Sequence, residues 1–101
     1  TNFFIVRKGE VWTSTGDYCM NGITRRKVIE LCRENDIPVF ERNYSLVDSL
    51  GAAEAFVTGT FGGVTPVVEI DGRQIGEGKA GPMYWRLKGL YEELIVRHIS
   101  T

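Results

Sequence analysis

The sequence predicts an α+β domain in which helices pack on a mixed β-sheet. Short β-rich runs and helical patterns follow one another as strand, strand, helix, strand, short helix, strand, strand, helix. This order lacks the strict strand–helix alternation of a parallel α/β sheet, so it favours helices gathered on a mixed sheet. The chain has 101 residues, of which 43% are hydrophobic and 25% are charged, and this length and composition indicate one globular domain.

The first half of the chain predicts two strands, a helix and a third strand. Residues 3–7 and 11–13 are apolar runs that predict a strand pair joined by a tight turn. A helix is predicted from Thr24, its N-cap, to a turn at 35–38, and residues 39–44 predict a further short strand. The apolar stripe of that helix contains Val28, Ile29, Leu31 and Cys32, and its solvent face contains Arg25, Arg26, Lys27, Glu30, Arg33 and Glu34.

The second half opens with a short helix and continues into strands. Ser45 is expected to cap the short helix and Gly51 to end it, with Leu46, Val47 and Leu50 available for packing. Residues 55–58 and 64–70 predict two strands, because both runs are rich in β-branched and aromatic residues. A hairpin turn is predicted at Asp71-Gly72.

The last helix has the clearest pattern. Pro82 suits the first helical position. Tyr84 and Trp85 lie off the main stripe, so at least one of them is expected to pack elsewhere or to line a pocket. The stripe itself contains Met83, Leu87, Leu90, Tyr91, Leu94, Ile95 and His98.

Charge and composition argue against several classes of partner. The net charge of -1 and the pI near 5.8 do not provide a basic stripe for nucleic acid, and residues 25–27 are interpreted as a solvated helix face. No apolar run reaches the roughly 18 residues that span a bilayer. Cys19, Cys32 and His98 fit no common zinc spacing, so no metal is expected. A reducing, cytoplasmic location is expected.

A glycine-rich connection joins two of the predicted strands. Gly59-Thr60-Phe61-Gly62-Gly63 places three glycines in five residues, so the backbone can approach a ligand with few side chains in the way. Thr60 adds a hydroxyl donor. Such a loop at a strand end is typical of a site for phosphate or carboxylate, although a plain hairpin without a ligand explains the glycines equally well.

A second candidate anion site lies where the first helix begins. The stretch Gly22-Ile23-Thr24-Arg25 offers free backbone N–H groups and the positive end of the helix dipole. Two such sites in one small domain suggest a phosphorylated ligand, or a ligand that carries both a phosphate and a carboxylate.

Four ordered blocks resemble a known family. They are Asn-Phe-Phe-Ile-Val at 2–6, Asn-Gly-Ile-Thr-Arg at 21–25, Phe-Val-Thr-Gly-Thr-Phe-Gly-Gly-Val-Thr-Pro-Val at 56–67 and Asp-Gly-Arg-Gln-Ile-Gly-Glu-Gly-Lys-Ala-Gly-Pro at 71–82. Their order and spacing resemble the C-terminal half of the class IV (branched-chain-type, fold type IV) pyridoxal-phosphate aminotransferases. The resemblance therefore implies the fold of the C-terminal domain of those enzymes.

The resemblance also implies the site residues. The cofactor would be pyridoxal 5′-phosphate, with its phosphate held by the backbone N–H groups of Ile23 and Thr24 and by the hydroxyls of Thr24 and Thr60. The backbone N–H groups of Phe61 and Gly62 would face the phosphate or the substrate carboxylate. The full implied set is Gly22, Ile23, Thr24, Gly59, Thr60 and Phe61 for the cofactor, and Phe61 and Gly62 for the substrate.

In that family the Schiff-base lysine and the carboxylate that pairs with the pyridine nitrogen lie upstream of the first block. The resemblance thus implies no catalytic residue within residues 1–101 and no activity for this chain by itself. Since the chain starts in an apolar run without Met, it is expected to be a single domain of a longer protein whose N-terminal domain is absent.

The complete protein is expected to be a homodimer that moves an amino group from a branched-chain-type amino acid to a 2-oxo acid. The alternatives are a D-amino-acid or amine transaminase, an aminodeoxychorismate lyase and a non-catalytic module that binds a phosphorylated ligand.

Overall fold

A computed structural model describes residues 2–14, 22–59 and 63–100. These residues form seven strands and three helices. Strands β3, β2, β1, β4 and β5 form one sheet in that order, in which β2 and β3 are parallel and the other neighbours antiparallel. The predicted α+β architecture with a mixed sheet is confirmed. The elements are β1 Asn2–Arg7, β2 Glu10–Thr13, α1 Ile23–Glu34, β3 Val39–Glu41, α2 Leu46–Leu50, β4 Glu54–Gly59, β5 Gly63–Pro66, β6 Glu69–Ile70, β7 Arg73–Gln74 and α3 Pro82–Ser100.

The main core lies between one face of the sheet and the helices α1 and α3. Phe4 on β1 stacks on Phe56, its partner on β4, with ring centroids 5.0 Å apart. Val28 and Cys32 from α1 and Leu87 from α3 complete this cluster, and all are fully buried. Because residues on a strand alternate between faces, every second residue of β1 and β4 points toward the two helices.

Two tight turns and one short helix follow the local sequence rules. Lys8-Gly9 and Asp71-Gly72 each have two consecutive positive φ angles, 50° and 78° in the first pair and 49° and 78° in the second, as the twist of a two-residue hairpin requires. The Ser45 hydroxyl accepts from the backbone N–H of Asp48, whose side chain accepts from the backbone N–H of Ser45. The predicted cap, and the predicted end of α2 at Gly51, are confirmed.

Several predicted boundaries were wrong. The strand predicted at 64–70 is in fact two strands, β5 and β6. The carbonyl of Val68, between them, accepts from the N–H of Ile75, so the chain there pairs with the segment after β7 and no longer with the large sheet. The strand expected at 39–44 ends at Glu41, since its partner β2 ends at Thr13. Val47 is 77% exposed and does not pack as expected.

Helix α1 differs from its prediction in two ways. It begins at Ile23 with Gly22 as the N-cap, so Thr24 lies inside the first turn. Arg25 is buried, although the pattern placed it on the solvent face. Burying a charged guanidinium is costly unless it is paired and hydrogen-bonded. Here Nη2 of Arg25 donates to the carbonyl of Ser14 and to the carboxylate of Glu41, whereas its buried Nε has no partner among the described residues.

Helix α3 begins at Pro82 as predicted. Its apolar stripe is narrower than expected, because Leu87 is fully buried, Leu90 is half-buried and Ile95 is 40% exposed. Tyr84 is buried and donates its hydroxyl to the carbonyl of Val64, while Trp85 is 56% exposed. Tyr84 belongs to the same core cluster as Leu87, so the expectation that it lies off the main stripe was wrong.

Within the described ranges, no helix combines the length and apolar content that crossing a membrane requires. The same part of the chain contains no group of three or more His, Cys, Asp and Glu side chains that could hold a metal ion. Cys19 and the side chain of His98 lie outside the described residues.

Burial of Cys32 makes stability depend on alkaline pH. Burial raises the pKa of the Cys32 thiol to about 11, against the opposing effects of Arg86 and Arg33. The unfolded chain loses this proton near pH 9 and the folded chain near pH 11. The unfolded state therefore binds fewer protons between these values, and the free energy of unfolding falls as the pH rises through them.

We expect this contribution to reduce the free energy of unfolding by about 2 kcal/mol near pH 10.5. Urea titrations of the wild type and of Cys32→Ala at several pH values measure it. The stability difference between the two proteins should shrink by that amount from pH 8 to pH 10.5. A difference that stays constant would show that the thiol does not titrate differently in the folded state.

Candidate functional site

The start of α1 and the end of β4 meet at one place. The Thr24 hydroxyl donates to the carbonyl of Gly59 at 3.4 Å, and the Thr24 oxygen lies 3.4 Å from the Tyr91 hydroxyl of α3. Thr24, in the stretch 22–25, and Gly59, the first residue of the stretch 59–63, are therefore in contact. Asn21, Thr60, Phe61 and Gly62 lie outside the described residues, so their predicted roles stay predictions.

The first turn of α1 has no cap of its own. Its N-cap is Gly22, in an extended conformation, and the turn that follows contains Arg25 and Arg26 but no acidic residue. Basic side chains at a helix N-terminus oppose the helix dipole, which favours negative charge there. The first backbone N–H groups of a helix also have no partner within it. An anion would satisfy these groups and relieve the electrostatic conflict.

Arg25 ties this turn to the ends of two strands. Its Nη2 atom lies 2.8 Å from the carbonyl oxygen of Ser14, which follows β2, and 3.0 Å from Oε1 of Glu41 on β3. Arg33, further along α1, contacts the other oxygen of Glu41 at 3.5 Å. The position of the turn is therefore set in part by an ion pair between the buried Arg25 and the exposed Glu41, in addition to apolar packing.

Buried polar groups lie beneath the same turn. Asn2 and Thr58 face each other across β1 and β4. Among the described residues, Oδ1 of Asn2 and Oγ1 of Thr58 are buried without a hydrogen-bond partner. A Cβ atom built on Gly22 would lie 2.9 Å from Nδ2 of Asn2, so a larger residue there would require the amide to shift. Buried orphan atoms beside an uncapped helix end fit a site that a polar ligand occupies.

Tyr91 closes the side of the site that faces α3. Its ring lies 3.2 Å from where a Cβ of Gly63 would be, and Gly63 has a φ of 62°. Glycine is therefore favoured at Gly63 by its backbone conformation, and a Cβ there would require the Tyr91 ring to shift slightly. The sequence pattern placed Tyr91 only on the apolar stripe, although a tyrosine on such a stripe carries a hydroxyl that needs a polar partner.

Three of the described lysines lie in surroundings that do not activate an amine. Lys8 occupies the exposed β1–β2 turn, and the side chain of Lys79 is 74% exposed beside Glu77. The Nζ atom of Lys88 lies over the rings of Tyr84 and Trp85. A lysine that acts as a nucleophile needs a desolvated or otherwise activating environment, and these exposed or ring-stacked positions do not provide one.

Comparisons with known proteins place these observations in a family. The family model described as Amino-transferase class IV matches residues 1–70. The branched-chain-amino-acid aminotransferase-like protein 2 of Arabidopsis thaliana is 48% identical over 94 residues, which cover 93% of this chain and 17% of that protein. The D-alanine aminotransferase of Listeria innocua is 39% identical over 98 residues, covering 96% of this chain and 34% of that protein.

A solved structure gives the same result. The T.th. branched-chain amino acid aminotransferase with pyridoxamine 5′-phosphate superposes with a TM-score of 0.88 at 38% identity, covering 91% of this chain and 31% of that one. The chain spans between 17% and 34% of the length of the relatives named above. Since the family model matches residues 1–70 of 101, the chain belongs to the class IV aminotransferase family.

Proposed function

We propose that this chain is the C-terminal, cofactor-phosphate-binding part of a pyridoxal-phosphate-dependent aminotransferase. The observation that carries the proposal is the contact of Thr24 with Gly59, which joins the uncapped start of α1 to the end of β4. Family membership supports it, and so does a similar solved structure, described as the enzyme with pyridoxamine 5′-phosphate. The N-terminal domain would come from the rest of the protein.

The residues present fit a phosphate. The N–H groups of Ile23 and Thr24 would donate to it, because the first turn of a helix leaves them without intrahelical partners. The bond between the Thr24 hydroxyl and Gly59 is long, at 3.4 Å, so a charge-assisted bond to a phosphate oxygen would replace it favourably. Thr60, Phe61 and Gly62 are proposed to add donors from the connection after β4.

This part of the protein would bind and orient rather than carry out the reaction. When bound, pyridoxal phosphate supplies the electron sink for chemistry at the α-carbon of the substrate. By fixing the phosphate, Ile23 and Thr24 would fix the position of the ring that the phosphate carries. The lysine and the carboxylate that the family uses are proposed to lie in the upstream domain, so no catalytic residue is proposed in residues 1–101.

For the whole protein we propose transfer of an amino group from a branched-chain amino acid to a 2-oxo acid, by a cytoplasmic homodimer. The similarity to the Arabidopsis thaliana relative, at 48% identity, supports the branched-chain type. A D-amino-acid transaminase is the second candidate, because the Listeria innocua D-alanine aminotransferase is 39% identical.

An amino-transfer assay separates the two candidates. The full-length protein, dialysed against pyridoxal phosphate, is given 2-oxoglutarate with either L-leucine or D-alanine as the amino donor. We expect turnover with L-leucine. Turnover with D-alanine alone would favour the second candidate, and retained cofactor binding without transfer to either would contradict the aminotransferase proposal.

Thr60→Ala tests the proposed phosphate donors of the connection after β4. Loss of one hydrogen bond to a charged group should weaken pyridoxal phosphate binding by about 1.5–3 kcal/mol, roughly 10- to 150-fold. Equilibrium dialysis of the full-length apoprotein measures the dissociation constant. Thr65→Ala, an exposed position on β5, is the matched control, and a Thr60→Ala protein that binds like this control would show that Thr60 is only a turn residue.

A further inference from the structure

Asn2 and Thr58 form a buried polar pair on the face of the sheet that packs against α1 and α3. They are register partners on β1 and β4, as are Phe4 and Phe56 two residues along. Because side chains two apart on a strand share a face, both point to the side where α1 and α3 pack. Asn2 is 6% exposed and Thr58 is 1% exposed. In the described part of the chain, one polar atom of each side chain lacks a partner.

The pair adjoins both halves of the proposed phosphate site. The Asn2 amide nitrogen lies close to Gly22, the N-cap of α1, 2.9 Å from where a Cβ of that residue would be. Thr58 directly precedes Gly59, whose carbonyl accepts from the Thr24 hydroxyl. Two independent observations, an uncapped helix end and two buried orphan atoms, therefore point to the same place.

The hydrogen-bonding properties of Oδ1 of Asn2 and Oγ1 of Thr58 limit which groups can be their partners. Oδ1 of Asn2 only accepts hydrogen bonds, and a dianionic phosphate has no proton to donate, so the phosphate itself cannot satisfy it. A water molecule can donate to Oδ1 of Asn2, accept from the Thr58 hydroxyl and give its second proton to a phosphate oxygen. Buried waters typically make about three hydrogen bonds to otherwise unsatisfied groups.

We infer that Asn2 and Thr58 are positioning residues for the phosphate, which hold one buried water between the sheet and the ligand. The inference rests on the proposed function, because it requires a phosphate at the start of α1. It adds to that proposal two side chains and a water-mediated contact beneath the site.

Thr58→Val tests the inference through its effects on phosphate affinity and on melting temperature. Valine keeps the shape of threonine but removes the hydroxyl. If the water is held as inferred, inorganic phosphate and pyridoxal phosphate bind the full-length apoprotein about three- to tenfold more weakly, the worth of one ordinary hydrogen bond, and Thr58→Ser retains wild-type affinity. If the hydroxyl is merely an unsatisfied buried group, the variant binds like wild type and melts at a higher temperature, which would overturn the inference.

Thr13→Val is the matched control. Thr13 is also fully buried, and its hydroxyl donates to the carbonyl of Phe3 at 2.9 Å. We expect this variant to melt at a lower temperature with unchanged affinity for phosphate. A loss of affinity equal to that of Thr58→Val would mean that any polar deletion in the sheet weakens the site, and would overturn the specific role.

Asn2→Leu supplies a second variant on the other strand. It should weaken phosphate binding by a similar factor, and the double variant should lose less than the product of the two factors, because both residues hold the same water. Fully multiplicative effects would overturn the shared water. A wild-type apoprotein that does not bind phosphate overturns the proposed function itself, whereas a wild type that binds with Thr58→Val unaffected overturns only the inference.

Discussion

Leu87→Ala is expected to lower the free energy of unfolding by about 2–5 kcal/mol. Leu87 is fully buried where α3 packs on the sheet and α1, in the cluster that contains Phe56 and Val28. Alanine would remove the apolar contacts of the side chain and leave a cavity. The sheet and two helices surround that cavity, so the site can collapse only in part.

Leu90→Ala is the matched control on the same helix. The apolar stripe in the sequence makes Leu87 and Leu90 equivalent and predicts a core residue at both positions. Leu90 is in fact only half-buried against the cluster. We therefore expect Leu90→Ala to lower the free energy of unfolding clearly less than Leu87→Ala does. Chemical denaturation of both variants measures the difference. Equal losses would mean that the burial of α3 differs from that described above.

Glu54→Ala is expected to lower the free energy of unfolding by about 2–4 kcal/mol, because it removes the cap of α3. The two carboxylate oxygens of Glu54 accept from the backbone N–H groups of Met83 and Tyr84 at 3.0 and 2.8 Å. Gly81, the residue before the helix, has no side chain to take over this role. A Cβ on Gly81 would collide with the Glu54 carboxylate.

Two further variants make this test specific. Glu54→Gln keeps one carbonyl acceptor but loses the charge, so its free energy of unfolding should lie between those of the wild type and of Glu54→Ala. Glu69→Ala changes an exposed glutamate on β6, and surface changes of this kind usually stay within about 0.5 kcal/mol. Thermal or urea unfolding that ranks Glu54→Ala with Glu69→Ala would show that the contacts to Met83 and Tyr84 do not stabilise α3.

Features that depend on neighbouring residues in sequence were predictable. The hairpin turns, the Ser45 cap and the start of α3 at Pro82 follow from turn chemistry, capping and proline geometry, which act over a few residues. The boundaries at 39–41 and 63–66 were not predictable in this way, since they depend on where a strand on another part of the chain ends.

Features that depend on tertiary contacts escaped the pattern. The prediction that Arg25 faces solvent failed because its partners, Ser14 and Glu41, lie 11 and 16 residues away in the sequence. Glu54 was not singled out, because the backbone groups that it caps, those of Met83 and Tyr84, lie 29 and 30 residues away in the sequence. The polar pair of Asn2 and Thr58 required the strand register, which spacing alone does not supply.

The stretches that form the candidate site were nevertheless identifiable before any fold was known. Glycine placement marked 59–63, and the free start of a helix marked 22–25. Nothing in the spacing indicated that the two stretches touch. A shared ligand was inferred because both stretches suit an anion, and the contact between Thr24 and Gly59 shows that the start of α1 meets the end of β4.

The first turn of α1 is uncapped and basic, so changes that would stabilise the helix without a ligand would also weaken the binding of an anion there. Placing a capping side chain at Gly22 or an acidic residue near Arg26 would ordinarily stabilise a helix. In this protein either change would occupy or repel the place that an anion is proposed to take. By mass action, an anion that binds only the folded state adds about 2.7 kcal/mol to stability at a hundredfold excess over its dissociation constant. The thermal resistance of this domain in a cell would then follow the supply of its ligand, and selection for a more stable empty protein would oppose selection for a loaded one.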